Sequence, residues 1–397
     1  MTVLYGCVST HAHHYCTLIS KQAYGPLWKS SLGPYTNINV ACPELLEQVL
    51  RQEGKYPVRS DMALWKEHRD ARGLPYGPFT EDGERWHRLR PGPREAVLYT
   101  GTINAVTSDL LGRLEAERRG SPSGRGVGDV ASLLYRFALE GIASILFETR
   151  IGCLEPQVPP ETQRFIAAIG CMFRDSVFVT ALPAWTRALL PFWDRYLRSW
   201  DTIFAFGPCQ RGGGWAVGPE AKGAARAALP REVTGVGGGQ VPDAPHLAQM
   251  PLLKAIVKET LRLYPVVPTN ARIIVEKDVV VGDYLFPKDT LFVLAHYAMA
   301  HDEHSFPEPE RFLPQRWLRA GATPHHPFSS IPFGYGVRAC VGRRIAELEM
   351  YLALTRIIQN YELHPDPRGR EVHPLSRIVL VPDKPINLEL VARAPVP

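Results

Sequence analysis

Apolar residues recur at helical spacing through most of the chain, and gather into strand-like runs only in short stretches. Pro43–Arg51 reads as a helix with proline in its first turn, where the missing N–H costs nothing. Helical spacing continues over 105–119, 130–147 and 159–179, and the second of these is apolar on most sides, as a helix inside a large α-domain must be. The run from Met250 to Tyr264 is a further helix that stops before Pro265. Two short strands are expected between Tyr24 and Val40, a small sheet over 279–293, and a strand pair from Arg377–Pro382 and Ile386–Val391. Lys55-Tyr-Pro-Val-Arg-Ser-Asp61 leads into a largely polar and aromatic segment reaching Phe79, and 120–126 is a flexible connector. The pattern describes a mainly α protein with small β-sheets, one domain over 1–397.

One stretch breaks it. Residues 207–240 are irregular: Gly207-Pro-Cys-Gln-Arg-Gly-Gly-Gly-Trp and the run on to Pro219 are rich in glycine and proline and without periodicity, so no helix is expected over 207–219, and only Ala221–Val233 reads as a remnant of helix. Elsewhere, 45% hydrophobic and 21% charged residues allow a large core and exclude a disordered chain. No apolar run is long enough to span a bilayer, so membrane contact is expected to be peripheral. A formal charge of +5 suits an acidic partner or an anionic membrane, and no nucleic-acid partner is expected. The seven cysteines are scattered without a C-x-x-C pair, against a disulfide framework or zinc ribbon. His11, His13 and His14 beside Cys16 read as a solvated segment. The first residues show neither a signal-peptide nor a transit-peptide pattern.

The candidate chemistry centres on Phe333-Gly-Tyr-Gly-Val-Arg-Ala-Cys-Val-Gly342. Its glycines let the backbone turn tightly and approach a flat ligand. Cys340 precedes an apolar helical run, so a helix dipole and the cations Arg338, Arg343 and Arg344 are expected to favour its thiolate. A thiolate on such a loop suits an axial ligand to haem iron. Trp86 and Arg90 stand four apart in a predicted helix and can present an indole N–H and a guanidinium to one anion. Glu259 and Arg262, three apart, share one side of their helix. Leu182–Pro191 carries Trp185, Leu189, Leu190 and Arg187, which either dip into a membrane interface or pack in the core.

The pattern F-x-x-G-x-R-x-C-x-G over Phe333–Gly342 resembles the haem-binding loop of the cytochrome P-450 family, the haem-thiolate monooxygenases. The resemblance implies that Cys340 is the axial ligand of a haem b iron and that Phe333, Arg338 and Gly342 shape its loop. It implies that Trp86 and Arg90 hold one haem propionate, that Arg272 reaches the second, and that Glu259 and Arg262 form a structural triad with Arg316 from Phe312-Leu-Pro-Gln-Arg-Trp317. The loop at 182–191 then corresponds to the one over the substrate entrance, and the C-terminal hairpin to one with a substrate-contacting tip. Lys254 and Lys258, with Arg343 and Arg344, resemble the mitochondrial class, in which such cations dock an acidic, adrenodoxin-type ferredoxin served by an NADPH reductase. Further strings, such as Gln52-Glu-Gly-Lys-Tyr-Pro-Val-Arg59, are similar to the branch that hydroxylates the terminal methyl of sterol side chains at the matrix side of the mitochondrial inner membrane. Two departures stand out. Pro91-Gly-Pro93 is expected to break a helix that the family continues, and 207–240 replaces the family's G to J helices. The I-helix string A/G-G-x-D/E-T, whose acid and threonine serve oxygen activation, occurs nowhere in the chain, so the fold is expected to be incomplete and turnover impaired.

Overall fold

The computed structural model describes residues 13–32, 35–60, 62–89, 96–182, 184–206, 240–319, 324–367, 371–376 and 379–393. Arg90, the proline break at 91–93, and all of the irregular segment except residue 240 lie outside the described residues.

The chain begins with α1 (His13–Tyr24), the antiparallel strands β1 (Leu27–Leu32) and β2 (Tyr35–Val40), and α2 (Pro43–Arg51). Helices α3 (Ala63–Arg72), α4 (Gly83–Leu89) and α5 (Thr100–Gly120) follow, then strand β3 (Gly126–Val127), α6 (Val130–Leu146), α7 (Pro160–Ala181) and α8 (Phe192–Ala205). After the undescribed stretch come α9 (Ala244–Ala248), α10 (Pro251–Leu263), β4 (Asn270–Ile273), β5 (Val279–Val281), β6 (Tyr284–Phe286), β7 (Leu291–Leu294) and α11 (His296–Ala300). The last elements are α12 (Arg343–Asn360), β8 (Tyr361–Pro365), β9 (Pro374–Ser376), β10 (Leu380–Pro382) and β11 (Leu388–Ala392).

Among the described residues, three of four apolar clusters organise most of these elements. The largest joins one face of α5 (Ile103, Val106, Leu110, Leu114) to α6, α10 and α12 through Phe137, Ile256 and Leu352. A second packs α7 on α8 through Phe165, Met172, Tyr196 and Trp200. The third lies under the main sheet, where Leu46 and Val49 of α2 meet Phe292 and Leu294. Among the described residues no helix is long and apolar enough to cross a membrane.

The main sheet has the order β1-β2-β7-β4. Strand β7 runs parallel to β2 (Ile38 opposite Phe292) and antiparallel to β4, which sets Arg272 opposite Phe292. An isolated antiparallel bridge pairs Val58 with Ile273, and the Ile273 N–H donates to the Val58 carbonyl at 2.9 Å. Pairing these two residues brings their neighbours, Arg59 and Arg272, together from distant parts of the chain.

Local chemistry fixes the element ends. Asp129 stands at the N-cap of α6 with φ +45°, and its side chain accepts from the Ser132 N–H at 3.3 Å. Replacing Asp129 by alanine removes that acceptor and leaves a strained left-handed residue, so denaturant unfolding should report a loss of about 1–2 kcal/mol. Helix α3 ends at Gly73, φ +62°, whose left-handed turn lets the Leu74 N–H donate to the Arg69 carbonyl at 2.8 Å. The sequence pattern does not anticipate α3, because the segment is mostly polar. Contacts from α8 select it: the Tyr196 hydroxyl donates to the Leu64 carbonyl, and buried His68 stacks on Trp200 and Phe204. Helix α1, whose first residues are His13 and His14, is likewise not anticipated.

Candidate functional site

The Cys340 loop turns on two glycines with left-handed backbone, Gly334 (φ +71°) and Gly336 (φ +69°). The Gly334 N–H donates to the Ile331 carbonyl at 2.8 Å, and the Cys340 N–H donates to the Phe333 carbonyl at 2.8 Å, so the loop closes around its own ends. Gly342 sits at the N-cap of α12, where a Cβ would lie 3.9 Å from the Cys340 sulfur. The N–H groups of Gly342 and Arg343 are thereby presented to the sulfur, as the positive end of a helix should be.

The expected lowering of the thiol is not what this arrangement produces. Burial pushes the Cys340 thiol above its ordinary value, and the Gly342 N–H, the Arg59 charge, the Arg343 N–H and the Arg343 charge only partly offset it. Two of the three expected cations point elsewhere. Arg338 is 2% exposed and donates to the Pro57 carbonyl at 2.6 Å, the Glu81 carbonyl at 3.1 Å and Asp82 at 2.9 Å. Arg344 is exposed and pairs with Glu347 at 3.4 Å. Arg343 stays close, over the Phe333 ring at 5.6 Å, and also pairs with Glu347 at 2.9 Å.

Trp86 is buried, and the Arg338 guanidinium lies 3.7 Å from its ring centroid. That stacking joins α4 to the cysteine loop. Arg272 is 1% exposed. Its Nε donates to Glu53, and its Nη1 donates to the Ala271 carbonyl at 2.8 Å and weakly to Asn270 at 3.4 Å. Beside it His296 is buried with neither ring nitrogen hydrogen-bonded, and burial together with the Arg272 charge holds it down to about 3, a neutral imidazole.

Sequence reading assigns no role to Arg59. Its Nη2 donates to the Arg338 carbonyl at 3.0 Å, it lies over the Phe79 ring at 5.3 Å, and its Nε is buried without a hydrogen-bond partner. Arg59, Arg272 and Arg338 thus converge in one buried region, and each lies within the electrostatic reach of another. Burial, reinforced by Arg59, brings Arg338 down to about 10. Buried cations of one sign in this number match a multiply charged anion. The orphaned Arg59 Nε and the convergence of the three guanidiniums fit the two carboxylates of a haem, with Cys340 on the same loop as Arg338.

Behind the site, Glu259 and Arg262 are wholly buried and meet through two bonds of 2.9 Å. The same carboxylate also accepts from Arg316 at 3.1 Å, from the Leu313 N–H at 2.9 Å and from the Trp317 indole N–H at 2.8 Å. Burial opposes the charge on Glu259, but Arg262, the Leu313 N–H and Trp317 outweigh it and hold the carboxyl below its ordinary value. The outer nitrogens of Arg262 reach the Ala300 and Arg311 carbonyls, and those of Arg316 reach that of Pro307. One carboxylate therefore ties α10 to Leu313, Arg316 and Trp317, in the stretch that precedes the cysteine loop.

Glu349 of α12 is a different case. It is buried against Gly141 of α6, where a Cβ would come within 2.2 Å of its Oε1, and that oxygen has no partner. Burial raises its carboxyl to about 8. The folded chain therefore holds a proton here that the unfolded chain releases above about pH 4.3, so this stability contribution is lost as pH rises toward 8. Glu349→Gln should remove that decline, read as a flatter profile of unfolding free energy between pH 5 and 8.

Lys258 is exposed, with its ammonium 5.6 Å from the Trp317 ring centroid, and Lys254, half-buried, donates to the Ala248 carbonyl at 3.2 Å. Trp185 is 68% and Leu189 72% exposed, and Leu190 is exposed beside them. Of the two readings left open for this loop, exposure excludes packing of these three in the core. Arg187 turns inward to Glu67 at 2.6 Å.

The family model described as Cytochrome P450 matches residues 4–206 and 224–390, and the interruption falls inside the irregular segment. Among curated relatives, "Sterol 26-hydroxylase, mitochondrial" of Oryctolagus cuniculus is 47% identical, covering 95% of this chain and 84% of its own length. The Homo sapiens protein of the same name is 46% identical, covering 96% and 84%. "25-hydroxyvitamin D-1 alpha hydroxylase, mitochondrial" of Homo sapiens is 41% identical, covering 93% and 86%. The match to the Oryctolagus cuniculus protein runs over 447 positions against a chain of 397, 50 more than the chain possesses.

Proposed function

Because the chain belongs to the cytochrome P450 family, we propose that it is a haem-thiolate monooxygenase that hydroxylates the terminal side-chain methyl of sterols, working in mitochondria with electrons from an acidic ferredoxin. One observation carries the cofactor reading: Cys340 closes a glycine-turned loop whose Arg338 joins Arg59 and Arg272 in a buried cationic cluster. When bound, the haem supplies the activation of dioxygen and the insertion of one oxygen atom into a C–H bond. The chain's own residues do the rest. Cys340 serves as the iron ligand, the N–H groups of Gly342 and Arg343 address its sulfur, and Arg343 lies over the Phe333 ring. Arg59, Arg272 and Arg338, with Arg90, hold the haem carboxylates, and Trp86 fixes Arg338 by stacking. Glu259, Arg262 and Arg316 fix α10 to the stretch that precedes the loop in the chain.

The substrate and partners rest on the sterol hydroxylases the chain resembles and on its surface. Lys254, Lys258, Arg343 and Arg344 offer cations to an acidic ferredoxin and its NADPH reductase, an attraction that speeds encounter. Trp185, Leu189 and Leu190 form an exposed apolar loop suited to peripheral contact with the matrix face of the inner membrane. The single domain over 1–397, with 207–240 standing in place of the family's G to J helices, belongs to the same proposal.

A second reading, a chain that binds haem and sterol without turnover, is favoured by one feature of the sequence, the absence of the acid–threonine string. The discriminating experiment supplies the haem-loaded chain with ferredoxin, reductase, NADPH and cholesterol, and follows side-chain-hydroxylated product by mass spectrometry. Product at a rate above a ferredoxin-free control supports the enzyme. Haem incorporation with sterol binding and no product supports the second reading, and a chain that binds no sterol overturns the substrate assignment.

A further inference from the structure

Three like charges held together, Arg272 and Arg338 buried and Arg59 half-buried, need a counter-charge before any anionic ligand arrives, or the segments that carry them separate. Arg59 lies in the segment after α2, Arg272 on β4 and Arg338 on the cysteine loop. Two carboxylates face them. Asp82 lies 2.9 Å from Arg338, but it is equally close to Lys66 and is 28% exposed, so solvent and lysine share its charge.

Glu53 differs in each respect. Its side chain is 6% exposed and it accepts directly from the Arg272 Nε; burial pushes its carboxyl above the ordinary value, and the charges of Arg272, Arg338 and Arg59 offset that only in part. It also sits under the cysteine loop, since a Cβ on Gly336 would approach its Oε2 to 3.5 Å. The backbone pins it there. The Val58–Ile273 bridge and the Arg338–Pro57 bond tie the same three segments a few residues on.

We propose that Glu53 is a positioning residue: it gathers the three arginines and holds Arg272 by its Nε edge, so that the cluster is assembled to receive the two carboxylates of haem. This rests on the cofactor reading above. Because Glu53 acts through the arginines, its removal should weaken the site only for a ligand that carries those carboxylates. Glutamine keeps the size and an acceptor oxygen but removes the charge that gathers the cluster.

The test compares the full chain with its Glu53→Gln variant, each freed of haem and titrated by Soret absorbance with hemin and with hemin dimethyl ester, whose carboxylates are blocked. The expected result is at least a tenfold weaker affinity for hemin in the variant, faster loss of hemin to excess apomyoglobin, and a change of less than twofold for the ester. Partial rescue by Glu53→Asp is expected as well. Equal losses for both ligands would show a merely structural residue and overturn the proposal. Unchanged or tighter hemin binding by the variant would overturn it too, the latter by making Glu53 a competitor. A wild-type chain that takes up hemin while the variant matches it leaves the cofactor reading standing without this inference, whereas a wild-type chain that takes up neither ligand overturns both.

Discussion

Replacing Glu259 by alanine should leave the chain unfolded or aggregated at neutral pH. The substitution strands two guanidiniums, Arg262 wholly buried and Arg316 nearly so, without the carboxylate both share, and also releases the Leu313 N–H and the Trp317 indole. Breaking a buried pair by removing one partner costs about 3–5 kcal/mol, against a total stability of about 5–15 kcal/mol for a typical protein. Glu259→Gln keeps an acceptor for the indole and the backbone N–H, so its loss should be smaller. The pH dependence carries a definite sign. Glu259 is held below its ordinary value in the fold, so its contribution is fully present above about pH 4.3 and is lost as pH falls through the lowered folded value. Denaturant unfolding from pH 7 downward should show the wild-type advantage over Glu259→Gln shrinking in that acid window, and an advantage that grows there would contradict the assignment.

The second large effect belongs to Cys340. Cys340→Ser should keep the loop, since its closing bond uses the Cys340 N–H and its turns use Gly334 and Gly336. What it removes is the sulfur, the soft donor that the N–H groups of Gly342 and Arg343 address. Sterol hydroxylation should fall to the level of haem free in solution, while unfolding of the haem-free chain should change by less than about 1 kcal/mol, as expected where no buried partner is left unsatisfied.

Much of this architecture was legible in the residues, because helices with strong apolar periodicity and proline or glycine at their ends announce themselves. Helix α2 and helix α10 lie where their patterns place them. Spacing alone pairs Glu259 with Arg262 on one helix, and only the family resemblance pointed to Arg316 as the third member. Helix α3 was hidden because its selection comes from Trp200, Phe204 and Tyr196 on α8, which its own polar sequence does not reveal. Arg59 was hidden for a related reason. The string Tyr56-Pro-Val-Arg59 is visible, but its meaning depends on the bridge from Val58 to Ile273. The thiol went wrong because nearness in sequence stood in for direction in space: Arg338 and Arg344 flank Cys340 along the chain, yet one faces Asp82 and Trp86 and the other Glu347. Burial, which sequence shows poorly at a single residue, then decides the sign.

The absent acid–threonine string separates two questions that the family resemblance joins, whether the chain holds a thiolate-ligated haem and whether that haem turns over. The arginine cluster and the cysteine loop bear only on the first. The most direct measurement is the visible spectrum of the purified chain, loaded with haem, reduced and exposed to carbon monoxide. The strongly red-shifted Soret band of a thiolate-ligated complex, lost in Cys340→Ser, is the predicted result; a band at the position seen for nitrogen-ligated haem, or no haem band at all, would contradict it.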